Sequence, residues 1–220
     1  IVDENEPKAL PNLDYKIVVG NSLISKLDED VIEIDWDINE TMHGLFGSQL
    51  AKEKGLIIKK ISSKQKEFFT PASDKKNLAA NIRILRIDLI IKQLELMIEK
   101  QNIPFEPKIE NYNNKPKSKF TEDLSRYLQC LGWKRQIEKL NKLKTNPDLP
   151  LLFFDWKLDF PEVMNEEVFG KSGFDIVVGN PPYGAKFNDV DKTSIKLKYK
   201  YRDSETESYI LFIELGSKLL

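Results

Sequence analysis

Three short apolar segments constrain the fold of this chain more strongly than any other feature of its sequence. They span residues 16–19, 151–154 and 174–178, and each is rich in β-branched, leucine or phenylalanine side chains. Strands that are continuously apolar, rather than alternating, belong to sheets covered on both faces, and such sheets are usually parallel. The sequence therefore predicts an α/β fold in which these segments are buried strands.

A long stretch with helical periodicity separates the first of these segments from the other two. Apolar residues at helical spacing predict one helix within residues 41–69, and Ser73 or Asp74 can cap the next, which carries the clearest 3.6-residue period. Thr121 can cap a third helix, which Asn146 and the proline after it would end.

This order of elements predicts three regions. Residues 1–40 and 149–220 would form the core with its strands, and residues 41–148 would be a helical insertion between them. A last amphipathic helix is expected at about residues 208–220, after the third apolar segment.

The third apolar segment runs directly into a loop of unusual composition, Gly179-Asn180-Pro181-Pro182-Tyr183. Ligands of open α/β sheets bind at the carboxyl ends of strands. Two consecutive prolines remove two backbone N–H groups but keep their carbonyls, and the residue before a proline is held extended. The loop is therefore predicted to be stiff and rich in hydrogen-bond acceptors.

These acceptors suit an exocyclic amino group, which carries two N–H donors. The Asn180 side-chain oxygen and a carbonyl such as that of Pro181 can accept both, drawing the nitrogen toward a nucleophilic form. Each neutral hydrogen bond contributes only about 1 kcal/mol net, so positioning must supply much of the rate. Tyr183 offers a face on which a flipped base can stack, worth roughly 1–3 kcal/mol. The alternative is an ordinary turn in which the tyrosine caps the core.

Composition excludes several other classes of protein. A formal net charge of -1 and 40% hydrophobic residues describe an ordinary globular chain rather than a strongly basic one. With Cys130 as its single cysteine and His43 as its single histidine, the chain offers neither an internal disulfide nor a zinc cluster. No apolar run approaches the roughly 20 residues of a membrane helix, so a cytoplasmic location without membrane contact is expected.

Residues 174–183 resemble motif IV of the class I methyltransferases that use S-adenosylmethionine and methylate amino groups, in the form found in the adenine-specific DNA branch. Residues 155–163, Asp-Trp-Lys-Leu-Asp-Phe-Pro-Glu-Val, are similar to a stretch of the type IIG restriction-modification enzymes. Residues 19–23 resemble motif III of that group, and residues 209–214 resemble the helix that follows motif IV.

The resemblance implies a fold and roles for particular residues. The fold would be a partial Rossmann-like methyltransferase sheet interrupted by a large helical insertion. Asn180 and Pro181 would bind the target amino group of an adenine flipped out of double-stranded DNA, and Tyr183 would stack on the base. Pro182 and Asn21 would contact the adenine of S-adenosylmethionine, although relatives often carry aspartate in place of Asn21. The alternative for Asn21 is an asparagine that only closes a tight turn.

Two expected motifs are missing from the chain. We find no glycine-rich loop after a strand to hold the methionine end of the cofactor, and no acidic ribose ligand before residues 19–23. Because the chain opens at Ile1 and stops at Leu220 inside a helix, both ends are expected to be cuts, with those motifs before Ile1. The chain alone is then expected to bind S-adenosylmethionine poorly and to have little activity. No nuclease constellation is visible.

A basic segment follows the loop and is predicted to contact DNA phosphates. The alternative is a solvated flexible loop. Its basic residues are Lys186, Lys192, Lys196, Lys198, Lys200 and Arg202.

Two other functions remain open from the sequence. One is a methyltransferase acting on a protein glutamine or an RNA base, because a side-chain amide also presents two N–H donors. The other is a non-catalytic DNA- or protein-binding fragment that works through its helices. His43 is expected to be structural, and packing inside the protein is expected for Trp36, Trp133 and Trp156.

Overall fold

The computed structural model describes residues 16–36, 49–71, 73–103, 105–113, 116–170, 172–182, 184, 186–200 and 208–220. Helices make up most of this part of the chain. The described sheet is a single antiparallel hairpin, formed by β1 (Lys26–Leu27) and β2 (Asp30–Val31). Among the described residues, no helix combines the length and the apolar character needed to cross a bilayer.

Three long helices form a bundle whose core is the larger of the apolar clusters. They are α1 (Gln49–Phe68), α2 (Lys75–Gln101) and α3 (Lys117–Thr145), and α2 packs against both of the others. The apolar periodicity explains this arrangement, since the residues that recur every three to four positions on α2 are the buried ones.

The ends of the helices follow the capping residues only in part. The side chain of Asp74 accepts a hydrogen bond from the Asn77 N–H, which confirms the predicted start of α2. The prediction that Thr121 caps the third helix is wrong. Helix α3 begins at Lys117, and the Thr121 hydroxyl instead donates to the Lys117 carbonyl inside the first turn.

Short helices and the last two longer ones surround a second apolar cluster. The short helices are α4 (Trp156–Asp159), α5 (Pro161–Met164) and α6 (Glu166–Phe169). The longer ones are α7 (Asp189–Lys198) and α8 (Ser208–Leu219), whose buried side chains pack around Leu23 and Ile24.

The predicted partial Rossmann-like α/β sheet is contradicted by this architecture. Residues 16–19, 151–154 and 174–178 form no strand. Many of their apolar side chains are exposed, with Ile17 at 71%, Leu152 at 70% and Ile176 at 77%, although Phe153 and Phe154 are buried. A strand requires a hydrogen-bonded neighbour, and none of these segments pairs with another. The Phe174 N–H, for example, donates to the Leu219 carbonyl at the end of α8.

Candidate functional site

An open cleft of about 940 Å³ lies where four distant parts of the chain meet. The loop after residue 20 contributes Ser22, the start of α4 contributes Trp156, and the loop after residue 178 contributes Asn180 and Pro181. Helix α8 forms the remaining wall with apolar side chains such as Phe212. Two of the predicted site residues, Asn180 and Pro181, therefore line this cleft, next to the loop that holds Asn21.

Gly179, Asn180 and Pro181 of the loop at residues 179–182 line the cleft. Asn180 is exposed, and its side-chain amide makes no hydrogen bond within the described part of the chain. The Pro182 carbonyl, in contrast, accepts a hydrogen bond of 2.6 Å from the buried Ser208 hydroxyl at the start of α8. The Pro181 carbonyl has no such partner among the described residues. Tyr183 lies outside the described residues.

Asn21 closes a tight turn at the edge of the cleft. Its side-chain oxygen accepts hydrogen bonds from the backbone N–H groups of Leu23 at 3.0 Å and Ile24 at 3.3 Å. This is the bonding expected of the turn alternative, and it leaves the side-chain nitrogen as the group that can donate to a ligand. Contact between Asn21 and a cofactor stays a prediction.

Two side chains from elsewhere in the sequence hold the same loop by its carbonyls. The Trp156 indole N–H donates to the Ser22 carbonyl at 3.1 Å. The Tyr199 hydroxyl donates to the Leu23 carbonyl at 2.7 Å. Burial raises the pKa of Tyr199, so this phenol stays protonated and able to donate at neutral pH. The loop is thus fixed through two consecutive carbonyls.

Asp155 explains why Trp156 takes its position. One oxygen of the buried Asp155 carboxylate accepts the backbone N–H groups of Lys157 at 3.0 Å and Leu158 at 3.1 Å, which caps α4. The other oxygen accepts the Trp36 indole N–H at 3.3 Å. Burial raises the pKa of the Asp155 carboxyl, while these hydrogen bonds act in the opposite direction.

Asp159 joins the same turn to the helical bundle. Its carboxylate accepts the Asp155 backbone N–H at 2.9 Å and forms an ion pair with Arg86 of α2 at 2.8 Å. Both side chains are largely buried. Because a buried charge that loses its partner is costly, this pair defines where α4 lies on the bundle.

Aromatic rings surround Trp156 inside the protein. Phe160 stacks on it with ring centroids 5.5 Å apart and an interplanar angle of 28°. Phe154 and Phe174 meet it edge-on, with centroids at 5.0 Å and 6.2 Å. Trp156 therefore packs against other aromatics and also lines the cleft, and only the packing was expected from the sequence.

The basic residues predicted to contact DNA lie on and around α7. A spacing of four residues places Lys192 and Lys196 on one exposed face of this helix. The Lys192 ammonium group lies 3.6 Å from the Asp189 carboxylate, a weak exposed pair. The exposed lysines of the predicted set are Lys186, Lys192, Lys196 and Lys200.

Two members of that basic set differ from the others. Lys198 is only partly exposed, and its ammonium group pairs with the Glu33 carboxylate at 3.1 Å. Arg202 lies outside the described residues. Four lysines of the predicted set are therefore exposed, and Lys198 is paired with Glu33 at the surface.

Three residues of the site could not have been assigned from the sequence. Ser208, Trp156 and Tyr199 each donate to a backbone carbonyl that is distant along the chain. The sequence did signal the helix that begins at Ser208 and the distinctive segment that contains Trp156. It contained no signal for the carbonyls that these groups would meet.

The sequence of this chain matches a known protein family over most of its length. The Eco57I restriction-modification methylase family matches residues 48–220. A Methanocaldococcus jannaschii protein, described as a candidate type II restriction enzyme and methyltransferase, is 25% identical over 232 residues. That match covers 96% of this chain but 18% of the relative, so the chain spans less than a fifth of the relative's length. No solved structure matches the chain.

Proposed function

This chain belongs to the Eco57I restriction-modification methylase family, and from that premise we propose that it carries the catalytic face of a DNA methyltransferase. The reaction is transfer of a methyl group from S-adenosylmethionine to the exocyclic amino group of an adenine flipped out of double-stranded DNA. One observation supports this most directly: the Asn180-Pro181 loop and the loop after Gly20 line a single open cleft.

The target base binds at the Asn180-Pro181 end of the cleft. The free side-chain oxygen of Asn180 accepts one N–H of the amino group. The Pro181 carbonyl accepts the other, since the neighbouring Pro182 carbonyl already receives the Ser208 hydroxyl. Two acceptors on opposite sides of the nitrogen draw its lone pair out of conjugation with the ring. Tyr183, two residues beyond Pro181, stacks on the base.

The donor binds on the side of the loop after Gly20. A cleft of about 940 Å³ with mainly apolar walls suits a nucleoside-sized ligand, for which pockets of roughly 300–1,000 Å³ are typical. The Asn21 side-chain nitrogen donates to the adenine of the donor, and Pro182 packs against the same ring. When bound there, S-adenosylmethionine would supply the methyl group from its sulfonium to the amine that Asn180 and Pro181 hold, and would leave as the thioether.

The chain's own residues supply orientation rather than a base. Asn180 and Pro181 hold the amine until transfer is complete, and the resulting ammonium then loses its extra proton to water. Apolar side chains of α8 form one wall of the cleft. Residues 1–40 and 149–220 would together form this catalytic part, with residues 41–148 as the helical insertion that supports it.

DNA lies along the exposed face of α7. Lys192 and Lys196 contact phosphates from one side of the helix, and Lys186 and Lys200 extend this contact before and after it. Arg202 belongs to the same basic segment. Lys198 contacts a phosphate only after its pair with Glu33 opens.

The decisive experiment compares two asparagine substitutions in the natural protein that contains this chain. We expect Asn180→Ala to lower methyl transfer to DNA by roughly 100-fold or more, as removal of one preorganised group commonly does. Asn146→Ala is the matched control, because Asn146 is exposed at the end of α3 and only its backbone carbonyl is hydrogen-bonded.

The assay uses S-adenosylmethionine with a radiolabelled methyl group and offers DNA, RNA and protein separately. Digestion of the labelled DNA and mass spectrometry should give N6-methyladenine. Full activity of Asn180→Ala would refute the role of this loop. Label found only in protein glutamine or RNA would refute DNA as the substrate, and absence of transfer to any of the three would leave a binding fragment.

A further inference from the structure

We infer that Trp156 is a positioning residue that holds the donor side of the cleft through the Ser22 carbonyl. This inference rests on the proposed function, which gives no role to the segment of residues 155–160. The indole N–H of Trp156 reaches the Ser22 carbonyl at 3.1 Å across 134 positions of sequence, and the same ring lines the cleft.

The base of this tryptophan is fixed to the helical bundle. The Leu158 carbonyl accepts a hydrogen bond from the buried Gln65 side chain of α1 at 3.2 Å. Asp159 forms its ion pair with Arg86 of α2 at 2.8 Å. A helix of four residues has no stability of its own, so these two contacts and the Asp155 cap determine where α4 lies.

The ring is fixed as well as the backbone. Stacking on Phe160 and the edge contacts with Phe154 and Phe174 leave the indole few alternative rotamers. The N–H therefore points at the Ser22 carbonyl without an entropic cost at the moment of ligand binding. Because α4 is held by the bundle, this hydrogen bond also fixes the loop that holds Asn21 relative to the bundle.

Loss of the hydrogen bond between Trp156 and Ser22 should weaken binding of S-adenosylmethionine more than it lowers the rate of methyl transfer. The acceptors for the target amine belong to Asn180 and Pro181, which Trp156 does not hydrogen-bond. Ser22 directly follows Asn21, whose side-chain nitrogen is the proposed donor contact. A positioning role thus predicts a change in donor affinity with a nearly constant turnover number, which a general loss of folding would not produce.

The test is Trp156→Phe in the natural protein that contains this chain, with Trp133→Phe as the control. Phenylalanine keeps an aromatic ring in the cleft wall but lacks the N–H. Trp133 is buried in the bundle core and does not line the cleft. Binding of S-adenosylmethionine is measured by titration calorimetry, and kcat by methyl transfer to DNA at saturating donor.

We expect Trp156→Phe to weaken donor binding by about three- to tenfold, as loss of one hydrogen bond would. Its kcat should stay within about twofold of the parent, and Trp133→Phe should leave both quantities unchanged. Equal donor affinity in the parent and Trp156→Phe would overturn the inference, and so would an equal fall in Trp133→Phe.

A second measurement needs no substitution that affects folding. In protein labelled with 5-fluorotryptophan, saturating S-adenosylmethionine should shift the fluorine resonance of Trp156 and leave that of Trp133 in place. An unshifted Trp156 signal in protein that binds the donor would overturn the inference while the Asn180 result stands. Parent protein that binds no donor at all would overturn the proposed function and this inference together.

Discussion

Gly20 offers the sharpest test of how closely the cleft loop approaches the rest of the protein. A Cβ atom added at Gly20 would lie 2.1 Å from Phe154 Cβ and 2.6 Å from its Cγ, far inside normal contact distances. Both atoms belong to the base of the Phe154 side chain, so rotation of the ring cannot relieve the clash. Since forced overpacking costs about 1–3 kcal/mol, we expect Gly20→Ala to lower the free energy of unfolding by that amount.

Gly132 provides the same substitution with the opposite expected sign. It lies inside α3, and an added Cβ meets nothing within 4 Å. Alanine in a helix interior is favoured over glycine by roughly 0.5–1 kcal/mol, so Gly132→Ala should raise the free energy of unfolding.

Both variants are measured by urea unfolding, with helix content followed by circular dichroism and unchanged m-values required for comparison. A Gly20→Ala protein as stable as the parent would refute the close approach of the loop to Phe154. A lower free energy of unfolding in Gly132→Ala would contradict the open space around a Cβ at this position.

Substitutions at two further positions, Ser208 and Lys139, each test a single contact. We expect Ser208→Ala to lower the free energy of unfolding by about 0.5–1.5 kcal/mol, because a buried hydroxyl loses its bond to the Pro182 carbonyl, and Ser208→Thr to retain most of it; equal stability of the alanine variant would count against the contact. Lys139→Met should raise the pKa of Asp28, which the hydrogen bond from Lys139 holds below its ordinary value of 3.8. Because the folded pKa is the lower one, this contact stabilises the fold above pH 3.8 and is lost as the pH falls further. A carboxyl titration followed by carbon NMR measures the shift, and an unchanged pKa would contradict the pairing.

The helices were largely predictable because their signals are local. Asp74 caps α2 through a backbone N–H only three residues away, so residue type and spacing suffice to find it. Thr121 had the right chemistry for a cap but lies one turn inside α3, which begins at Lys117 after Pro116 at the cap position, without a side-chain cap. Periodicity thus predicted that the helix exists. It did not predict the first residue of the helix, which lies four positions before Thr121.

The strands were not predictable for a physical reason. An apolar run such as residues 174–178 states only that the segment avoids water, whereas a strand requires a partner that supplies hydrogen bonds along its edge. Here the first residue of that run, Phe174, gives its N–H to the carbonyl of Leu219 in α8. Pairing of this kind joins residues 45 positions apart, and no pattern within the run reveals it.

The candidate site also combines features that a local sequence pattern predicts with contacts that it does not. The acceptor-rich loop was visible because Pro181 and Pro182 change the hydrogen-bonding capacity of their own backbone. The residues that hold the cleft together act at a distance, as in the contact of Tyr199 with the Leu23 carbonyl across 176 positions. The sequence therefore predicted which groups would contact a ligand, and that assignment stays a prediction, while the structure shows which groups position the loops of the cleft.

The hydrogen bonds that fix the loop of Ser22 and Leu23 are accepted by backbone carbonyls, which determines which substitutions the cleft can tolerate. Substitution of Ser22 or Leu23 leaves both carbonyls in place, so the loop can vary in side chain and remain fixed. The side chains that donate these hydrogen bonds cannot vary in the same way. Only a residue whose N–H or O–H lies within hydrogen-bond distance of the carbonyl can replace Trp156 or Tyr199. Trp156 in turn depends on the bundle through Asp159 and Arg86. The long helices therefore act on the cleft indirectly: through Arg86 and Asp159 they hold Trp156, whose indole N–H fixes the Ser22 carbonyl at one wall of the cleft.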